Sequence, residues 1–344
     1  MTCFIIAEAG VNHNGSEELA LKLIDEAVRA GAEAVKFQTF QAESLVVPGA
    51  DKAEYQKAQT GEGDQFSMLK QLELSRDLHR RLKDHCDASN IEFMSTAFDM
   101  DSADFLVELG IKRIKIPSGE LTNHPFIAHL AGKGLPLILS TGMATLDEVL
   151  QAMQVVRDVR LRKNFLEPLE GCLTLLHCTS NYPAKIGDIN LRAMKTLQEE
   201  TGLSVGYSDH SEGLLVSPAA VTLGAKVIEK HFTLDRSLPG PDHAASLEPE
   251  ELKQMIANIR AVEQALGSPV KAPAPSELPV RDAARRSVTL TRNVVQGEAL
   301  AMNDLALLRP GTGIPPRDLE RVAGRAVNAN LPKGHTLKWS DLNS

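Results

Sequence analysis

Residues 203–234 read LSVGYSDHSEGLLVSPAAVTLGAKVIEKHFTL, and the fold is decided by how this stretch is punctuated. LSVGYSDHS and AKVIEKHFTL are short β-rich runs separated by a segment with helical character. Alternation of strand and helix implies parallel strands. Both runs finish in polar residues that include a histidine, His210 in the first and His231 in the second.

Moving outward, the same unit recurs in CFIIAEAG, AEAVKFQTF, IEFMSTAF, KRIKIPSGE, LPLILSTGM and CLTLLHCTS, which brings the strand candidates to eight. Between several of them apolar residues recur at spacings of three and four, as in Leu19, Leu23, Ile24, Ala27 and Val28, the stripe of a helix packing on a sheet. Eight such units favour a closed (β/α)8 barrel over an open doubly wound sheet. The Gly-, Gln- and charge-rich residues 46–72 are the longest departure from this rhythm and are expected to form a loop over the barrel mouth. After Leu266 the run GSPVKAPAPSELPV has four prolines, which disfavour helix and sheet and mark a linker. The expected organisation is therefore a barrel over 1–267, a linker over 268–282 and a small C-terminal domain over 283–344. Within that last part VVQGEALAMNDL and NLPKGHTLKWSDL share a Gly, an apolar residue and a closing Asp-Leu. A module of about 60 residues has little core of its own and is expected to lean on the barrel or a second subunit.

Bulk properties narrow the function classes. With 43% hydrophobic and 24% charged residues, the 344-residue chain has the composition of a soluble globular protein. A formal net charge of -8 argues against nonspecific nucleic-acid binding, so any anion site must be local. No stretch approaches the roughly 18 uncharged residues of a membrane span. The N-terminal MTCFIIAEAG lacks a basic leader, and four unpaired-looking cysteines suit reduced thiols, so a cytoplasmic location is expected.

In such barrels the catalytic groups come from the carboxyl ends of the strands. Those ends carry Glu8 and Asn12; Lys36 and Gln38; Thr96; Lys115, Ser118 and Glu120; Ser140 and Thr141; Thr179 and Tyr182; Ser208, Asp209 and His210; Glu229, Lys230 and His231. Any one of them has an even chance of being a rim salt bridge, and their convergence is what carries weight. His210 and His231 end adjacent strands and can share one divalent cation, with Asp209, Glu229 and Asp242 near enough to orient them. A lone histidine more often just bonds a carboxylate. Lys36 and Lys115 lie among apolar neighbours and call for an anion, for which Ser118-Gly119 and Ser140-Thr141-Gly142 offer hydroxyls and backbone N–H groups. Those glycines also fit plain tight turns. Glu8 and Glu120 are placed for proton transfer or for holding sugar hydroxyls, and SLPGPDHAASLEP presents Asp242 and His243 over the mouth.

Taken jointly, AEAGVNHNGS, KFQ, STAFD, KIPSGE, ILSTGM, HCTSNYP, GYSDHS, EKHFT, PGPDHAASLEPEEL and RPGTGI resemble the sialic acid synthase family over essentially the whole chain. The resemblance implies a TIM barrel followed by an antifreeze-like (SAF, β-clip) domain. It also implies condensation of phosphoenolpyruvate with an open-chain 2-acetamido sugar. Matched motif by motif, it makes His210 and His231 ligands of a manganese or magnesium ion, and Lys36, Thr96, Lys115, Ser118, Ser140 and Ser208 the phosphoenolpyruvate cradle. Glu120 becomes the group that activates water; Glu8, Gln38, Tyr182 and Asp242 become sugar contacts or proton-transfer groups. The family's dimer swaps its C-terminal domain, so that Arg309 of the RPG motif touches the N-acetyl group in the partner's barrel. Ser180 departs from relatives that carry Asn there and is left without a role. AEYQKAQTGEGDQFSMLKQLELS, IPSGELTN and VGYSDHS look closer to the branch that makes legionaminic acid from a 2,4-diacetamido-6-deoxy sugar than to the branch using N-acetylmannosamine. Two other readings stay open: a phosphoenolpyruvate-condensing barrel that makes an eight-carbon keto acid, and a noncatalytic carbohydrate- or ice-binding role for the C-terminal module.

Overall fold

In the computed structural model, which describes residues 2–343, eight parallel strands close into a barrel. They are β1 (Phe4–Gly10), β2 (Ala34–Thr39), β3 (Glu92–Ala97), β4 (Ile114–Ile116), β5 (Leu137–Ser140), β6 (Leu173–Cys178), β7 (Ser204–Asp209) and β8 (Val227–His231). Each pairs with its neighbour in sequence and β8 returns to β1, so all eight expected runs are strands and the sheet is closed. The intervening helices cover its outside. The first, Glu17–Ala30, starts where Ser16 Oγ accepts from the Leu19 N–H and stops at Gly31, whose φ of 85° lies in the left-handed region. It buries Ala20, Leu23, Ile24, Ala27 and Ala30, so the packed stripe keeps the centre of the expected one and leaves Val28 exposed.

Alternation along the strands organises the barrel interior. Successive side chains on a strand point to opposite faces, so residues two apart share a face. Ile6, Ala34, Met94, Ile138, Leu176 and Val227 form one buried apolar layer inside the barrel. Two residues further along the same strands stand Glu8, Lys36, Thr96, Ser140, Cys178 and Glu229. The polar ring therefore sits one step above an apolar plug, at the carboxyl ends of the strands.

Residues of the other parity face the helices. Lys230 Nζ lies 3.4 Å from Asp209 Oδ1, and Asp209 Oδ2 accepts from Ser217 Oγ at 2.7 Å on the helix Val216–Thr222. Asp209, expected beside the metal, instead belongs to a buried pair behind β7 and β8. Asn12 is also structural, donating to the Phe232 carbonyl at 2.8 Å and to Ser246 Oγ at 2.9 Å. His243 does not face the mouth: its ring contacts Thr233 Oγ1 at 2.7 Å and Asn14 Oδ1 at 3.1 Å.

Residues 46–72 do lie at the mouth, but they are largely helical rather than a loop. Glu54–Thr60 and Gln65–Leu72 are helices, the second capped by Asp64, whose Oδ1 accepts from the Ser67 N–H. Met68 and Leu72 are buried against Val11 and Phe40, and this packing outweighs the polar composition that suggested a loop.

The chain divides into two compact units, one ending at Gly267 and one beginning at Ser268. In the second, β9 (Ser287–Leu290) pairs antiparallel with β10 (Leu305–Leu308). Val288, Leu290, Val294, Leu300, Ile314 and Val322 belong to its own apolar core. Its two similar motifs fold alike: Gly297 and Gly334 both have positive φ, and Asp304 and Asp341 accept from the Ala301 and Lys338 N–H groups. Within the proline-rich stretch expected to be a linker, Leu278–Ala284 is a helix, because Pro279 occupies its first turn, where a missing N–H costs nothing.

Gly206 occupies the apolar layer on β7, and a Cβ there would come within 2.4 Å of the Val227 carbonyl oxygen and 2.7 Å of Leu176 Cδ2. Gly206→Ala is therefore expected to lower unfolding stability by about 1–3 kcal/mol through overpacking. Urea unfolding followed by circular dichroism checks this, and an unchanged midpoint would contradict such tight interior packing.

Candidate active site

Above the apolar plug, the polar ring and the loops that follow the strands enclose a cavity of about 480 Å³. Glu8, Gln38, Lys36, Thr96, Lys115, Ser118, Ser140, Tyr182, Ser208, His210, His231 and Asp242 all line it, so twelve of the fourteen residues given site roles by the family resemblance meet in one place. Glu229 and Ser180 line it as well.

Charge is arranged in pairs at the floor. Lys36 Nζ lies 2.7 Å from Glu8 Oε2, 2.9 Å from Thr96 Oγ1 and 3.6 Å from Glu229 Oε2. Lys115 Nζ lies 3.2 Å from Glu229 Oε1, which also accepts from Ser208 Oγ at 2.8 Å. All four charged groups are almost fully buried. Burial alone acts to drive both carboxyl groups toward their neutral form, and the two diverge because of their neighbours. Glu229, between two ammonium groups, is held well below the usual carboxylate range once Lys115 and Lys36 outweigh burial. Glu8 is pushed up to about 7, burial prevailing over the single close partner Lys36. Lys36 stays above its ordinary value because Glu229 and Glu8 overcome the burial that acts to lower it. Glu229 is thus the carboxyl held in its charged form, and Glu8 the one that burial pushes toward its neutral form. From sequence, Glu229 was expected to orient the histidines or to coordinate through water; its position two residues past Val227 was the signal for its inward face.

The histidines stand beside this floor. Their ring centroids are 5.7 Å apart. Burial pushes His210 down to about 4 and lowers His231 well below its ordinary value, so both imidazoles are neutral at pH 7, the state that ligates a metal. His210 Nδ1 donates to the Thr179 carbonyl at 2.8 Å, which fixes the tautomer and turns Nε2 toward the cavity. His231 Nδ1 is buried without a hydrogen-bond partner, 4.0 Å from Asp242 Oδ2. Asp242 is raised to about 6, burial prevailing over Lys36. The two neutral imidazoles, one with an orphaned nitrogen, are donors suited to a divalent ion. Among the described residues no third His, Cys, Asp or Glu side chain joins them in an arrangement that would hold a metal. Tyr182 packs against both, tilted to His210 with ring centroids 4.3 Å apart and edge-on to His231 at 5.6 Å.

The hydroxyl side differs from expectation in its backbone groups. Ser118 Oγ accepts from the Gly142 N–H at 3.0 Å and contacts Cys178 Sγ at 3.1 Å, and Thr141 Oγ1 donates to the Leu176 carbonyl. Thr141 and the Gly142 N–H are therefore engaged, leaving Ser140 Oγ, buried and without a partner, as the open hydroxyl. Glycine is required at 142 for space, since a Cβ would come within 2.3 Å of Ser180 Oγ. Gly119 meets nothing within 4 Å and has no such requirement.

Glu120 is not among the lining residues, and Arg309 was expected to enter from a second chain. Glu120 sits in the single turn Ser118–Glu120, outside the cavity, where its Oε2 accepts from Asn123 Nδ2 at 2.7 Å. The strand ends at Ile116, so the turn carries Glu120 past the inward-facing register. Arg309 belongs to the second unit, exposed just beyond β10.

Comparison with known proteins gives a NeuB family match over residues 23–271 and a SAF domain match over residues 285–343. An N,N'-diacetyllegionaminic acid synthase of Legionella pneumophila is 53% identical over 99% of this chain and 95% of its own length. Human N-acetylneuraminate-9-phosphate synthase is 35% identical over 97% of this chain and 91% of its own. The crystal structure of an N-acetylneuraminic acid (sialic acid) synthetase from Leptospira borgpetersenii, in complex with citrate, superposes with a TM-score of 0.70 at 34% identity, covering 81% of this chain and 90% of that one.

Because Glu229 neutralises two buried ammonium groups, Glu229→Leu is expected to cost about 3–5 kcal/mol of unfolding free energy. Denaturant titration measures it, and a loss below about 1 kcal/mol would mean that the lysines do not depend on this carboxylate.

Proposed function

Since the chain belongs to the NeuB family, we propose that it is a nonulosonic acid synthase joining phosphoenolpyruvate to the open-chain form of 2,4-diacetamido-2,4,6-trideoxymannose, with N,N'-diacetyllegionaminate and phosphate as products. The observation that carries this reading is the meeting of Lys36 and Lys115 with two neutral imidazoles in one cavity. One side suits an anion, the other a Lewis acid. The 53% identity to a synthase named for that product favours the diacetamido sugar over N-acetylmannosamine.

In the proposed reaction C3 of phosphoenolpyruvate forms a bond to the sugar aldehyde carbon, and the aldehyde oxygen takes up a proton. Water adds to the cationic C2, losing a proton, and the C2–O bond to phosphate then breaks to leave the keto acid. Lys36 and Lys115 hold the anionic reactant, with Thr96, Ser118, Ser140 and Ser208 supplying hydroxyls around it. His210 and His231 would hold a manganese or magnesium ion, which when bound polarises the aldehyde oxygen and stabilises the charge that builds there. Glu8 takes the place that Glu120 was expected to fill, because it lines the cavity and burial pushes it toward its neutral form. Asp242 serves the sugar side, where proton delivery to the new hydroxyl is needed, and Gln38 and Tyr182 contact the sugar.

A homodimer with exchanged C-terminal domains, in which Arg309 meets the sugar N-acetyl group of the partner's site, belongs to the same proposal. Its support is the exposure of Arg309 and of the helix Leu278–Ala284, which buries none of its residues. No helix among the described residues is long and apolar enough to cross a membrane.

Phosphate release from phosphoenolpyruvate, manganese and the diacetamido sugar tests the function, and absence of release with either that sugar or N-acetylmannosamine would sink it. His210→Ala and His231→Ala are each expected to lower turnover by about 10²–10³ or more while the fold persists. Chelation should abolish activity and added manganese restore it; full activity in both variants would remove the metal assignment.

A further inference from the structure

The floor of the cavity is charged, but one of its walls is not. Val11 after β1, Phe98 after β3, and Leu45, Met68, Leu69 and Leu72 from the segment following β2 line the same cavity. They form one apolar cluster: Met68 and Leu72 are buried in it with Val11, while Leu45, Leu69 and Phe98 pack against it partly exposed. The polar groups nearest this wall are Tyr55 and the Gln56 and Gln65 amides, which also line the cavity. Gln56, which lines the cavity nearby, already spends its Oε1 on the Ala53 N–H at 2.9 Å and on Gln65 Nε2 at 3.4 Å. The wall is also tied to the reacting end. Tyr55, from the same segment, packs on Tyr182 at 5.3 Å between centroids, and Tyr182 on His210 at 4.3 Å.

We propose that this apolar wall sets sugar specificity, selecting a substrate whose distal carbons end in methyl groups, a 6-deoxy terminus and a second acetamido group, over a polyhydroxylated 2-acetamido sugar. The inference rests on the synthase reading above, which puts the aldehyde at His210 and His231 and so sends the far carbons away from the floor. A hydroxyl pressed against Leu45 or Leu69 gives up its bond to water without a replacement, whereas a methyl group gains by leaving water. An apolar pocket of this kind discriminates by about 10–200-fold per small group.

The test compares kcat/KM for 2,4-diacetamido-2,4,6-trideoxymannose and for N-acetylmannosamine, by phosphate release, in the wild type, Leu69→Gln, Leu45→Gln and the volume control Leu69→Met. The wild type is expected to prefer the diacetamido sugar by at least about tenfold. Either Gln variant should erode that preference by about tenfold, with the KM for phosphoenolpyruvate unmoved, while Leu69→Met keeps it. The two Gln positions lie on separate helices, and thermal melts of each variant identify one that has merely unfolded. A wild type without preference, or folded Gln variants that scale both sugars alike, overturns the wall's role while leaving the synthase reading intact. A wild type that turns over neither sugar overturns both.

Discussion

Everything at the active site depends on the strict two-residue alternation of a strand inside a closed barrel. Because the barrel has no free edge, each strand can offer only one parity to the interior, and its register is locked by neighbours on both sides. Packing the lower interior with Ile6, Met94, Ile138 and Leu176 therefore dictates which residues emerge one step higher. The same rule that fills the plug delivers Glu8, Lys36, Thr96 and Glu229 to the mouth. The opposite parity commits Asp209 and Lys230 to the space between sheet and helix, where they pair with each other.

Placing two ammonium groups in so dry an environment is tolerable only because carboxylates accompany them. Glu229 answers both, and Glu8 answers Lys36 alone. This asymmetry pushes two chemically identical carboxyl groups in opposite directions, one toward its charged and one toward its neutral form, a division set by the number of nearby cations. The neutral imidazoles obey the same burial effect with the opposite sign, and the Thr179 carbonyl gives the His210 ring a single orientation.

The barrel was legible because eight apolar runs of similar length alternate with helical stripes, a signal spread over 267 residues. Most of the site was legible for a related reason, since polar residues at strand ends are conspicuous against apolar runs. Which of two consecutive polar residues faces inward was harder. SDH and EKH each contain residues of both parities, and only the position of the apolar layer beneath separates Glu229 from Lys230 and Ser208 from Asp209. Glu120 lies outside the lining because β4 ends early and the turn after it leaves the strand register. The helices over the mouth were hidden by a polar composition that their packing on Val11 and Phe40 overrides. Arg309 owed its selection wholly to family resemblance, as nothing local distinguishes an arginine before proline in a small domain.

The segment after β2 contributes to the cavity without contributing to its charged floor. Lys36 sits within the strand, and this segment's share of the wall begins at Leu45. Reactive groups and lining are thus encoded in separate stretches of chain, one constrained by the geometry of a closed sheet and one hung between two strands. Such a chain can exchange its lining by insertion, deletion or drift while the reacting groups keep their places. Residues 45–72, which carry Leu45, Met68, Leu69 and Leu72, are therefore a natural unit to transplant if the wall's part in sugar choice is to be moved to another barrel of this kind.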